Sequence, residues 1–395
     1  MPWLLTLPLL ILTIPAAAAQ ADDPAPITPS EIDQALQVPP SDGDARALAD
    51  RIRAAFPGKD LARGGHLVEN DAVAFVVAAP EGAKSVRVAG MVNHNRGQDL
   101  VPIGPTGLFA RVEPVPTDTK FAYHFEIDGK KTGGATVEMP GWSYPPESSR
   151  KPGATYGEYR PLTFRSQVFG NDRTGWIYVP AAYDGETPAS LMVFQDGDAY
   201  KTERVGTVVD NLIAAKKMPV TILVLLNPGT NDDGSKNRSV EYDTLDDRYA
   251  RFLADEVLPM VSKDFKLRDD PKSRAIGGAS SGGICAFTAA WHRPDLFGRV
   301  LSQIGSFTNI RGGHVTPELV AREPKKPIKV LLTDGTNDLI NRYGDWWQAN
   351  NAMFSALSAK GYDVHFIRDR GFHAYWTCGR QLPEALAWLW SDAPR

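Results

Sequence analysis

A chain of 395 residues is longer than one average domain, so two domains are the first expectation. Its formal net charge is −4, and its basic residues gather only in pairs such as Lys216-Lys217 and Lys325-Lys326, which excludes a nucleic-acid surface. Only two cysteines occur, Cys285 and Cys378, which excludes a disulfide-rich scaffold and a four-cysteine zinc site.

In chain order, apolar residues 3–14 lead into Ala16-Ala17-Ala18-Ala19-Gln20-Ala21 and then Asp22-Asp23. This is the pattern of a signal peptide cut after Ala19 or Ala21, although no basic residue follows Met1. The run is shorter than the ~20 apolar residues of a membrane span, and no cysteine follows it to carry a lipid. The expectation is a periplasmic or secreted chain without residues 1–21 and with no membrane span after cleavage. Residues 22–66 read as a lead-in, Pro- and Asp-rich and loosely ordered over 22–40, with one short amphipathic helix over 45–56, where Leu48, Ile52 and Phe56 recur at spacing four.

Residues 67–135 carry short β-type runs such as Val73-Ala74-Phe75-Val76, Val86-Arg87-Val88-Ala89 and Phe121-Ala122-Tyr123-His124-Phe125, separated by turn signals such as Asp128-Gly129. They predict a small β-sandwich. Residues 136–162, with Pro145-Pro146 and Pro152-Gly153, read as a linker. From 163 to 395 near-continuous apolar runs (Leu191-Met192-Val193-Phe194, Ile222-Leu223-Val224-Leu225, Val330-Leu331-Leu332) alternate with helical stretches over 207–215, 249–261, 346–360 and 382–390. That alternation predicts an α/β domain with a mostly parallel sheet covered on both faces.

The stretch Gly278-Ala279-Ser280-Ser281-Gly282 sets a serine two residues from a glycine on each side, between strand-like Arg274-Ala275-Ile276 and helical Ile284-Cys285-Ala286-Phe287. This is a nucleophile elbow, and it implies an α/β-hydrolase arrangement in which a carboxylate and then a histidine follow the serine, each after a strand. Asp334 and Asp338 follow the run 328–332. His373 follows Val364-His365-Phe366-Ile367 on a glycine-led loop. A serine hydroxyl is a weak nucleophile until an imidazole takes its proton, and the carboxylate fixes that imidazole's tautomer. Ser280, Asp338 and His373 are therefore the candidate triad. Asp334 is the alternative acid, and His314 is a rival base that stands out of order, before both aspartates. Candidate oxyanion donors are the amides of Ser281 and of Gly197 or Asp198, after the strand that ends at Phe194-Gln195-Asp196. No cofactor or metal is expected. The loop Asn231-Asp232-Asp233-Gly234 lacks the glutamate of a calcium-binding EF-hand loop and reads as a surface turn.

Several segments resemble a known family: Trp176-Ile177-Tyr178-Val179-Pro180, Phe194-Gln195-Asp196-Gly197, Arg238-Ser239-Val240-Glu241-Tyr242, Phe252-Leu253-Ala254-Asp255-Glu256, the elbow, and Arg293-Pro294-Asp295-Leu296-Phe297. Together they resemble the enterochelin-esterase branch of the α/β-hydrolases, related to feruloyl and acetyl-xylan esterases. The resemblance implies that the preceding β-sandwich is an immunoglobulin-like domain, either binding glycan or packed as an accessory. It implies a serine esterase acting through an acyl-enzyme on a siderophore ester or a feruloyl or acetyl ester of plant polysaccharide. It also makes Arg238 and Glu241 candidates for orienting substrate, with a buried ion pair as the other reading. Trp346, Tyr375 and Trp376 are candidate pocket aromatics or core. The family commonly has a second glycine where this chain has Phe372, beside His373. An acyltransferase with the same triad, or an idle glycan-binding protein, remains the alternative function. Cys285 and Cys378 each lie five residues after a triad candidate, so a disulfide bracing the serine and histidine stands beside two buried thiols. Nothing in the sequence sets an oligomeric state.

Overall fold

The computed structural model describes residues 26–38 and 40–393, so the signal-peptide reading of residues 1–21 lies outside the described residues. The N-terminal part holds two four-stranded antiparallel sheets. One has the order β1 (Gly65–Glu69), β2 (Ala72–Ala78), β6 (Leu108–Pro114), β5 (Val101–Pro102). The other has the order β4 (Gln98–Asp99), β3 (Val86–Gly90), β7 (Lys120–Ile127), β8 (Lys130–Glu138). Because side chains alternate along a strand, Val73, Phe75 and Val77 of β2 face one way and pack with Val88, Phe121 and Phe125 of the second sheet. Ala74 and Val76 face the other way, onto Ile32, Ala45, Ala49 and Ile52.

Those last contacts correct the loosely ordered lead-in. Residues Pro29–Gln37 form a helix whose Thr28 side chain accepts from the Glu31 amide while Glu31 accepts from the Thr28 amide. This reciprocal cap, with Pro29 at the first helical position, is written in Thr28-Pro29-Ser30-Glu31. With the helix Asp42–Ala54 it seals the outer face of the first sheet.

The C-terminal part is organised on one eight-stranded sheet in the order β18, β15, β14, β13, β11, β12, β10, β9. Its strands are β9 (Glu158–Ser166), β10 (Asn171–Val179), β11 (Ser190–Gln195), β12 (Thr221–Leu226), β13 (Arg274–Ala279), β14 (Arg299–Gln303), β15 (Lys329–Gly335) and β18 (Val364–Asp369). Between the last two lies the small hairpin β16 (Ile340–Asn341) and β17 (Gly344–Asp345). The six strands from β18 to β12 are parallel, and β10 and β9 add an antiparallel edge. β9 begins inside the expected linker. Its Pro161 is tolerated because an edge strand has one side without a partner.

Alternating strand residues feed two separate cores. Val193, Val224, Ile276 and Leu332 pack under the helix Ser281–His292, while Met192, Leu223, Leu225 and Leu331 pack under Val205–Ala214 and Tyr375–Leu389. The last helix starts seven residues earlier than the expected 382, with Pro383 buried within it. This layering corrects the disulfide reading. Cys285 lies in the first core and Cys378 in the second, on opposite faces of the sheet, and both are free buried thiols. Among the described residues, no helix is long and apolar enough to cross a membrane.

Candidate active site

At the carboxyl end of β13 the chain reverses through Ser280, whose backbone sits at φ 59 and ψ −122, and enters the helix Ser281–His292. A side chain at Gly278 would stand 2.5 Å from the Gly282 backbone, so the turn closes only with glycine there. The Ser280 amide donates to the Gln303 carbonyl at 2.9 Å, and the Ser280 carbonyl accepts from the Ser306 amide at 3.0 Å, which pins the strained residue from both sides.

The Ser280 Oγ lies 2.8 Å from His373 Nε2, and His373 Nδ1 lies 2.5 Å from Asp338 Oδ1. Asp338, not Asp334, reaches the imidazole. Asp334 is wholly buried at the end of β15, where its Oδ1 accepts from the Gly335 amide. His314 is exposed on a short turn and is not part of this chain of bonds. Burial pushes the His373 imidazole down to about 4 and the Asp338 carboxyl up to about 6. Both values leave a neutral imidazole and an ionised Asp338 at pH 7, with Nδ1–H donating and Nε2 free to accept. Burial and then the neighbouring Asp338 push Asp334 well above the ordinary carboxylate range, so it is the protonated member of the carboxyl pair.

A cavity of about 450 Å³ opens over Ser280 and His373, lined further by Asp196, Asp198, Asn227, Arg238, Ile304 and Tyr375. Arg238 holds Asp196 through two parallel bonds of 2.9 and 2.8 Å, and the Tyr375 hydroxyl donates to the same carboxylate at 2.6 Å. Arg238 and Tyr375 thus line the cavity, together with Asp196, Asn227 and Ile304, which the sequence reading misses. Asp196 falls within a family-like motif and at φ 57 turns the chain off β11. Asn227 directly follows β12, at the sheet end where ligands bind in such folds.

Three of the remaining candidates, Glu241, Trp346 and Trp376, stand away from the cavity. Glu241 is fully buried against Arg173 at 2.7 Å and never reaches the cavity. Its partner is not Arg238, and the Arg173 guanidinium packs on the Phe169 and Phe252 rings, 4.8 and 4.3 Å from their centroids. Glu241→Ala leaves that cation buried and unpaired, so it should lower unfolding free energy in a denaturant titration by about 3–5 kcal/mol. Trp346 is 2 % exposed and stands behind the site, donating to Ser306 Oγ and meeting the His373 ring edge-on. Trp376 turns away, its Nε1 donating to the Lys120 carbonyl of the sandwich. Gly197 is explained by packing, since a Cβ there would stand 2.4 Å from the Leu225 backbone. The Asp198 amide borders the cavity and donates to Asn227 Oδ1 at 2.9 Å, an acceptor that a substrate oxygen would have to displace. Ser281 is buried at the first turn of its helix. Among the described residues, no group of three or more His, Cys, Asp or Glu is placed to hold a metal ion.

A parallel sheet with a serine elbow at its carboxyl edge defines an α/β-hydrolase-like fold. Residues 166–388, more than half of the chain, match the Esterase (putative esterase) family model, and the chain belongs to that family. It is 26% identical over 338 residues to an endo-1,4-beta-xylanase/feruloyl esterase of Xylanibacter ruminicola, covering 79% of this chain and 44% of that protein. It is 26% identical over 246 residues to an iron(III) enterobactin esterase of Dickeya dadantii, covering 58% and 54%. The chain thus spans about half the length of these two relatives. Among solved structures, the enterochelin esterase of Shigella flexneri superposes with a TM-score of 0.65 at 20% identity over 85% of this chain and 97% of that one. A ferulic acid esterase of Anaeromyces mucronatus gives 0.52 at 17% identity over 62% and 94%. At these identities the structures establish the shared fold.

Proposed function

We propose that this chain is an exported serine ester hydrolase that works through an acyl-enzyme. The observation that carries the reading is the unbroken line Ser280 Oγ, His373 Nε2, His373 Nδ1, Asp338 Oδ1, at 2.8 and 2.5 Å, inside a chain of the Esterase family. His373 takes the Ser280 proton as Oγ attacks the ester carbonyl. The Ser281 amide and that of Gly197 or Asp198 hold the oxyanion. His373 then protonates the departing alcohol and afterwards deprotonates the water that cleaves the acyl-enzyme. Ser280 labelling by a fluorophosphonate, together with turnover of a short-chain aryl ester, tests this. No labelling and no turnover by folded protein would remove it.

The substrate is read as an ester of a small molecule or glycan. Among the described residues that line the cavity besides the triad, the charged ones are Asp196, Asp198 and Arg238, and Arg238 is already matched by Asp196. Such a wall repels an anionic ferric catecholate and suits a neutral feruloyl or acetyl ester of a polysaccharide. Comparing kcat/KM on a feruloylated sugar, acetyl-xylan and a catecholate trilactone decides; preference for the trilactone would reverse the assignment. Export rests on residues 1–21, and cell fractionation checks it. Residues 67–135 are read as an immunoglobulin-like domain and 163–395 as the catalytic domain.

Catalysis needs neutral His373 beside ionised Asp338. As pH falls the pair takes up a proton between about 6 and about 4, the values to which burial moves Asp338 and His373. A pH profile of kcat/KM should therefore be level around pH 7 and fall through that window. An acid limb lying above pH 7 would contradict this.

A further inference from the structure

Phe372, the residue just before His373, is 3 % exposed and belongs to the hydrophobic core of the N-terminal sandwich rather than to either core of the large sheet. Its ring meets Phe121 of β7, itself wholly buried, at 5.6 Å between centroids. Around this plug, Arg370 pairs with Asp118, Arg380 donates to the Asp118 carbonyl, and Trp376 donates to the Lys120 carbonyl. On the N-terminal side of Phe372 the α/β domain restrains the histidine loop through the Gly371 amide to Asp369 and Asn337 to the Arg370 carbonyl, and on its other side through the contacts of His373 itself.

The acid is reached from the sandwich as well. After β3, three consecutive non-glycine residues, Asn93, His94 and Asn95, have φ of 50, 56 and 63. This left-handed backbone is costly for His94 and persists where surrounding contacts hold it. It delivers His94 Nδ1 to within 3.0 Å of the Asp338 carbonyl, which can only accept, so Nδ1 carries the proton.

We propose that Phe372 and His94 are positioning residues, through which the sandwich sets the placement of His373 and Asp338 toward Ser280. The catalytic unit is then the sandwich and the α/β domain together. This rests on the ester-hydrolase reading of the triad.

The test uses the full chain with Phe372→Ala, Phe372→Leu and His94→Asn, since asparagine tolerates the left-handed backbone. Two readouts are taken: kcat and KM on an aryl ester, and the low-field proton resonance of the His373 Nδ1–H held by Asp338. Phe372→Ala should lower kcat on the order of 10²-fold with KM little changed, the scale expected when a reacting group moves by about 1 Å. The low-field resonance should be lost with it. Phe372→Leu should restore most of both, and His94→Asn should lower kcat while the protein still melts cooperatively. Folded Phe372→Ala and His94→Asn with wild-type kcat and an intact resonance would overturn the proposal. If Phe372→Ala does not fold, His94→Asn decides by the same two readouts. A wild type that shows the resonance but turns over no ester would remove the hydrolase reading instead, and loss of the resonance in the variants would still establish positioning.

Discussion

Replacing Ser280 with alanine should lower kcat on an aryl ester by about 10⁶-fold and leave the melting temperature close to that of the wild type. The loss is large because the hydroxyl oxygen is the protein atom that, in the proposed reaction, forms a bond to the substrate carbonyl. Stability should hold because the substituted alanine keeps the same strained backbone at φ 59, pinned by the Gln303 carbonyl and the Ser306 amide. Ser280→Gly separates the two effects. It removes the same hydroxyl, so activity should be equally absent. Glycine accepts this backbone without strain, so the protein should gain about 1 kcal/mol, read as a raised denaturant midpoint. A Ser280→Ala protein that keeps its turnover would end the assignment of the nucleophile. A Ser280→Gly protein less stable than Ser280→Ala would show that the turn is not under strain.

The features legible in the sequence are those fixed by local rules. Period-two burial makes the strands readable, because one residue in two feeds each core: Ile276 on one face, Ala275 and Ala279 on the other. The elbow is readable because Gly278 has no room for a side chain, and the order serine, acid, histidine follows from strands that all end on one edge. What escapes is set by partners distant in the chain. Arg238 finds Asp196 42 positions away and Tyr375 finds it 179 positions away, so the cavity wall is made by pairings no spacing announces. Glu241 stands three residues from Arg238, on nearly the same side of a short helix, yet it ends buried on Arg173 of β10 while Arg238 reaches Asp196, and the spacing distinguishes neither partner. Phe372 stands in sequence beside Gly371 and His373, but the core it joins is that of the N-terminal sheets, whose strands lie more than 200 residues earlier. The helix Pro29–Gln37 is a different kind of miss, since its capping box is local and in plain view.

The two aspartates make the second large prediction. Asp334 Oδ2 and Asp338 Oδ2 are both buried without a hydrogen-bond partner in the protein, and the two carboxyls interact. One proton between them satisfies both oxygens. Burial and the neighbouring Asp338 hold that proton on Asp334, while Asp338 keeps its charge beside His373 and also accepts the Leu339 amide. Asp338→Ala should therefore lower kcat by about 10⁴-fold, because Nδ1 loses its acceptor and the imidazole is no longer held with Nε2 bare toward Ser280. In Asp334→Asn the amide donates to Asp338 in place of the carboxylic acid, so kcat should stay within a few-fold of wild type. Asp338→Asn should fall between the two. Its carbonyl can still accept from Nδ1–H and Leu339, and its amide would let Asp334 ionise, one position further from the imidazole. Measuring kcat for the three variants at pH 7 orders them, and the double variant Asp334→Asn/Asp338→Asn should fall to the level of Asp338→Ala. If Asp334→Asn instead loses as much as Asp338→Ala, the working charge resides on Asp334, and the direct bond from His373 to Asp338 is not what orients the base.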